Sequence, residues 1–175
     1  MKRASISQSV SFCGVICALA MLLGYLEHLI PFSIGIYGIK LGLANLSVLV
    51  LLYLTDTKHA LTVHVLRIAL CGILFGNAFS IIYSFAGGLF SFLVMVLLKK
   101  WGKFSPVGIS IAGGVAHNIA QLAAAIFMVD ELRIALYLPV LLIAGTLAGL
   151  LVGLCCTIVL RNRALKKFCD EKFGI

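Results

Sequence analysis

The sequence predicts an all-α integral membrane protein built as a bundle of six transmembrane helices. Three observations predict it. Hydrophobic residues make up 62% of the 175 residues and charged residues only 11%, against about 25% charged in an average soluble domain. The apolar residues fall into six long runs separated by short polar breaks. The positive charges gather at the ends of those runs instead of forming a stripe on a soluble face, so the net charge of +8 reads as a topology signal and not as a nucleic-acid surface. A bundle of this length has one core, so residues 1–175 form a single polytopic membrane domain, closed by a basic tail over 161–175.

A span needs about 20 apolar residues, and the six segments follow in order. The first covers about 9–30 and ends at Pro31. Its Lys2-Arg3 start and Ala18-Leu19-Ala20 imitate a cleaved leader, but the apolar run continues past Ala20, which predicts a retained helix. The second, about 39–54, is short and opens with Lys40. The third, about 59–75, is also short. The fourth covers about 79–98 and stops at Lys99-Lys100; the fifth covers about 106–129 and stops at Asp130-Glu131. The sixth covers about 134–160 and stops at Arg161-Asn162-Arg163.

With the N-terminus inside, Lys2, Arg3, Lys58, Lys99, Lys100, Lys103, Arg161, Arg163, Lys166, Lys167 and Lys172 all fall on the cytoplasmic side. Arg133 remains outside, and Lys40 and Arg67 lie in the membrane. Excess Lys and Arg mark the cytoplasmic side of membrane proteins, and an even number of spans puts both termini there. Small residues recur at helical spacing: Gly145, Gly149 and Gly153 on the sixth segment, Gly14 and Ala18 on the first. Such ridges let membrane helices approach closely. Each serves either internal packing or the docking of a partner.

Several chemistries are disfavoured by what is missing. No P-loop, G-x-S-x-G or H-E-x-x-H pattern occurs. The six acidic residues Glu27, Asp56, Asp130, Glu131, Asp170 and Glu171 form no Asp-rich cluster able to hold magnesium on a diphosphate. The six cysteines lack the second pair or histidine that a zinc site requires and read as small packing residues. No metal and no cofactor is expected.

What remains is a binding set. Arg67 lies midway along the third segment, where a charge costs roughly 2.5–3.5 kcal/mol on insertion scales. Such a residue marks either a ligand site or a buried network. His64 and Cys71 fall on nearly its own face. His117 and Gln121, four apart, share a face of the fifth segment, with Asn118 beside them. Lys40 and Asn45 open the second segment, Glu27 closes the first, and Asn77 precedes the fourth. Lys40, Asn45, Arg67, Asn77, His117, Asn118 and Gln121 are the candidate substrate-binding residues, beneath a capping loop over 31–38. Their cationic and amide groups suit an anionic or carbonyl-rich head with an apolar body. Structural readings stand beside this one: Lys40 snorkelling to the interface, Glu27 pairing with Lys40, and His64 at the cytoplasmic interface.

The run Gly38-Ile39-Lys40-Leu41-Gly42-Leu43-Ala44-Asn45 resembles the signature of the bacterial heptaprenyl diphosphate synthase component I family, also called the Gx transporter family. Arg67, Leu74-Phe75-Gly76, Tyr83-Ser84-x-Ala86-Gly87-Gly88 and the stretch from Ser110 through His117-Asn118-Ile119-x-Gln121 carry the same resemblance, which covers most of the chain from about Leu26 to Gly153. That family in turn is similar to the substrate-binding S components of energy-coupling-factor importers. The resemblance implies a bacterial plasma-membrane protein capturing a small vitamin-like or isoprenoid- or quinone-related molecule from outside. It also implies a transmembrane coupling protein and ATPase subunits as partners, docked near Gly14 and Ala18. The older enzyme name implies a second role: a non-catalytic membrane component associated with heptaprenyl diphosphate synthesis.

Overall fold

The computed structural model describes residues 6–29 and 42–173, and every regular element among them is helical. In order these are α1 (Ile6–Leu29), α2 (Leu43–Leu54), α3 (Thr57–Phe75), α4 (Ala78–Trp101), α5 (Pro106–Val129), a 3₁₀ turn (Leu132–Tyr137), α6 (Leu138–Leu160) and α7 (Arg163–Phe173). The segments over 6–27, 57–75, 78–101, 106–129 and 132–160 are long and apolar enough to cross a membrane. α2 is apolar but has only 12 described residues, about 18 Å at 1.5 Å per residue, against a hydrocarbon core of about 30 Å. Lys40 and the expected capping loop over 31–38 lie outside the described residues.

Local chemistry explains the element ends. Asp56 N-caps α3 through His59 N–H, and Ser105 N-caps α5 ahead of Pro106; both caps satisfy amide donors that the first helical turn leaves without partners. Gly102 ends α4 at φ 72, a left-handed conformation that glycine adopts without strain. The sixth expected segment divides in two. A 3₁₀ turn occupies 132–137, and α6 begins with Pro139 in its first turn, a place where proline's missing N–H costs nothing.

α2 through α6 close a ring. α2 packs on α3 and on α6, while α3 packs on α4, α4 on α5 and α5 on α6; α1 lies outside this ring against α2 and α3. α2 is the inner helix, with Val48, Leu49, Val50, Leu51 and Leu52 all buried. The outer faces carry large apolar side chains, among them Phe127, Ile143, Leu147, Leu154 and Ile158. A monomeric soluble protein rarely exposes an apolar patch beyond a few hundred Å², so this belt suits lipid.

The glycine ridge on α6 serves internal packing. A Cβ on Gly149 would sit 2.6 Å from Ile111 Cα, and one on Gly153 would sit 2.7 Å from Val107 Cα. Both contacts are to α5 backbone, so α5 and α6 meet at a distance that only glycine permits. The tail was expected as a basic extension, but its residues 163–173 form α7. Leu165, Cys169 and Phe173 recur every four residues and turn toward the core, Cys169 fully buried. Phe12 of α1 packs on Phe168 and Phe173 at ring-centroid distances of 6.1 and 5.3 Å.

Candidate functional site

The site begins with the seat of α2. Gly42 stands at its N-cap with φ 75 and has no side chain to cap the first turn. Glu27, from the end of α1, supplies the cap instead: its two carboxylate oxygens accept from Gly42 N–H at 2.7 Å and Leu43 N–H at 3.2 Å. At the other end Lys99 of α4 donates its ammonium to the Leu52 carbonyl and lies 5.2 Å from the Tyr53 ring centroid. An anion at the amino end and a cation at the carboxyl end both complement the helix dipole. The short inner helix is thus clamped by two neighbouring helices, and Asn45 is held one turn into it.

Arg67 reaches Asn45 from α3. Its Nη2 donates to Asn45 Oδ1 at 3.2 Å and lies 3.4 Å from His64 Nδ1. Its Nε is shielded from the surroundings and donates to none of the described residues. His64 is one turn before Arg67 on the same face, 1% exposed, and stacked on Phe92 at 5.7 Å. Its buried position replaces the interfacial one that the sequence allowed.

Gly87 and Gly88 of α4 hold the two sides together. A Cβ on Gly88 would fall 2.8 Å from His64 Nε2; one on Gly87 would fall 2.4 Å from Gln121 Cγ and 3.0 Å from His117 Cε1. The diglycine is therefore a waist: α3 presents His64 to one glycine and α5 presents His117 and Gln121 to the other. Any side chain here would displace a polar group of the cluster.

The structure joins Asn45 and Arg67 with His64, and sets His117 and Gln121 across the diglycine from them. Asn118 turns away, its Nδ2 donating to the Leu141 carbonyl of α6 at 2.7 Å. Asn77 stands exposed at the start of α4, where its side chain and that of Ser80 form a reciprocal capping box. Lys40 lies outside the described residues. Gly14 and Ala18 are exposed on α1, and none of the described residues lies within 4 Å of a Cβ placed on Gly14. Among the described residues no group of three His, Cys, Asp or Glu could hold a metal ion. His64 and the diglycine stand out in the sequence but fall outside the candidate binding set read from it. The i, i+3 spacing of His64 to Arg67 and a Gly-Gly inside an apolar run were the available signals.

Fold and site together define a multi-pass, membrane-type helical protein with a polar cluster enclosed between its helices. The sequence profile of the heptaprenyl diphosphate synthase component I family matches residues 16–159, and the chain belongs to that family. No curated protein and no solved structure matches it.

Proposed function

We propose that this chain is the substrate-binding membrane subunit of an importer, similar to the S components of energy-coupling-factor transporters, and that it takes up a small vitamin-like or isoprenoid- or quinone-related molecule. The observation that carries the reading is Arg67, a cation that donates to Asn45 beside His64, with His117 and Gln121 across the Gly87–Gly88 waist. Polar side chains inside a membrane bundle are expensive and mark ligand pathways by default. In this reading the segment of about 39–54 is the sixth crossing and the loop over 31–38 caps the site from outside, with Lys40 joining it. Both termini face the cytoplasm of a bacterial cell. The exposed Gly14–Ala18 face of α1 meets a transmembrane coupling protein, and partner ATPases supply the energy.

A second reading follows from the family's description: a non-catalytic membrane component associated with heptaprenyl diphosphate synthesis. It is favoured by an open apolar face of α4 carrying Ile81, Ile82, Phe85, Ala86, Leu89, Phe90 and Leu93, whose chemistry suits a prenyl chain.

One purification separates the two. The chain is extracted gently with its native partners, and its retained small molecules are identified by mass spectrometry. The importer reading expects a coupling protein with ATPases and a bound small molecule, lost in Arg67→Ala while membrane insertion persists. Co-purification of an isoprenoid synthase subunit in their place favours the second reading. If no ATPase accompanies the chain and no molecule is bound, the importer reading is wrong.

A further inference from the structure

Among the described residues the polar cluster holds a charge with no ion-pair partner. Arg67 brings a permanent cation; Asn45 and His64 beside it, and His117 and Gln121 across the diglycine, are amides and imidazoles. The three ion pairs among the described residues, His59–Asp56, Arg133–Glu131 and Lys167–Glu171, all lie elsewhere. Glu27 is close enough for its charge to act on Arg67, but both its oxygens already accept N–H donors from the first turn of α2. It is a helix cap, not a salt-bridge partner. The guanidinium retains an Nε–H that none of the described residues accepts, and its two side-chain contacts, at 3.2 and 3.4 Å, are long for charged hydrogen bonds.

We propose that the cluster recognises one carboxylate group carried by an otherwise apolar small molecule, with the carboxylate against the Nε and Nη2 edge of Arg67. This rests on reading the cluster as a ligand site. Three features select a carboxylate. The guanidinium presents a planar fork whose two N–H groups match the two oxygens of a carboxylate. The described residues of the cluster supply one positive charge, which balances one negative charge; a diphosphate would bring at least two into a low-dielectric interior. Glu27, held at the start of α2, adds a negative field that disfavours a dianion more than a monoanion. Ile68, whose side chain meets Gly88 beside His64, gives the surroundings of the head group an apolar wall.

The test uses the full chain in lipid nanodiscs and four probes of similar shape: sodium benzoate, phenyl phosphate, benzyltrimethylammonium and benzyl alcohol, at matched ionic strength. Thermal unfolding midpoints are measured against probe concentration. Benzoate is expected to raise the midpoint saturably and more than the other three. Arg67→Gln is expected to weaken the apparent affinity by roughly tenfold or more, the loss of one charged hydrogen-bonded contact, and Arg67→Lys to restore only part of it. A larger effect of phenyl phosphate, an equal effect of the cation or the alcohol, or an unchanged benzoate effect in Arg67→Gln overturns the proposal. A second readout needs no variant: the ¹H–¹⁵N resonance of Arg67 Nε in the wild-type chain should move on adding benzoate, and an unmoved resonance overturns the proposal. The importer reading fails independently, on the absence of ATPases and of any retained molecule. A retained ligand without a carboxylate would sink this inference and leave that reading standing.

Discussion

The α5–α6 seam and the flank of α1 are both marked in the sequence by small residues four apart, and the fold uses them in opposite ways. Along the seam each glycine of α6 faces α5 backbone. A Cβ on Gly145 would sit 2.8 Å from Gly114 O, and one on Gly114 would sit 2.4 Å from Gly145 O. Asn118 adds a hydrogen bond to the Leu141 carbonyl across the same seam. On α1 the small face is open: a Cβ on Gly14 would meet none of the described residues, and Val15, Leu19 and Leu22 around it are exposed. α1 is held by its other side, where Cys17 and Ala20 are buried, and by its ends, through Glu27 and Phe12. Lipid provides no hydrophobic drive between helices. A backbone-to-backbone fit therefore makes a permanent contact, while a helix attached at its ends leaves a face available.

The largest expected effect separates the two directly. Gly149→Leu must push α5 and α6 apart, because its Cβ alone would lie 2.6 Å from Ile111 Cα and 2.7 Å from Ser110 O. Backbone cannot rotate aside as a side chain can, so we expect a loss of about 3 kcal/mol, at the severe end of overpacking. Gly14→Leu should change stability by less than about 0.5 kcal/mol, as a surface substitution does. Thermal unfolding of both variants in nanodiscs checks this. A tolerated Gly149→Leu would erase the distinction between seam and flank. Gly14→Leu then becomes the clean probe of a partner on α1, since it alters the open face and spares the fold.

How much of this was legible in the sequence depends on whether the partner was local. Arg67 stood out because a charge in an apolar run is costly wherever it lands, and the helices stood out because lipid demands long apolar runs. The caps at Asp56 and Ser105 are local and readable. Glu27 as the cap of α2 was not readable, because its partners are the backbone amides of Gly42 and Leu43, fifteen and sixteen positions away. Asn118 looked like a site residue for the same reason: its partner Leu141 is twenty-three positions away. The two glycine ridges were indistinguishable in sequence, since spacing says that a face is small and not what faces it. α7 was hidden by its charges, although Leu165, Cys169 and Phe173 carried a helical period.

A smaller effect is expected where α1 is fastened to α2. Glu27→Gln keeps an acceptor near Gly42 but removes the charge that complements the start of α2. Hydrogen bonds to charged groups contribute about 1.5–3 kcal/mol, so a loss of about 1–2 kcal/mol is expected. Hydrogen exchange should locate it, with faster exchange at Gly42 and Leu43 and none at the α5–α6 seam. Lys99→Met tests the opposite end of α2, where the Leu52 carbonyl loses its ammonium; about 1 kcal/mol is expected from the dipole and hydrogen bond together. Equal exchange changes at the seam in either variant would mean that α1 and α2 are not an independently loosened unit.

The smallest effect concerns the other end of α1, and it has a pH signature. Phe12 packs on Phe173, whose ring also meets His59 edge-on at 5.5 Å. His59 is fixed in turn by Asp56, whose Oδ1 accepts from His59 N–H at 2.8 Å and lies 2.6 Å from His59 Nδ1. Burial alone would raise the Asp56 carboxyl, but the backbone and ring of His59, its charge and the Lys58 N–H outweigh burial and hold it below the ordinary carboxylate value. A depressed carboxylate contributes stability above its unfolded value and loses it as pH falls through the folded one. The wild-type chain should therefore lose this contribution below about pH 4. Asp56→Asn keeps an effective N-cap and removes the charge. For so exposed a pair the cost near neutral pH should be below about 1 kcal/mol, with this part of the acid dependence gone. Unfolding midpoints between about pH 3 and 7 decide the matter. If the two proteins lose stability in parallel on acidification, Asp56 contributes nothing through its charge, and this end of α1 rests on its aromatic contacts alone.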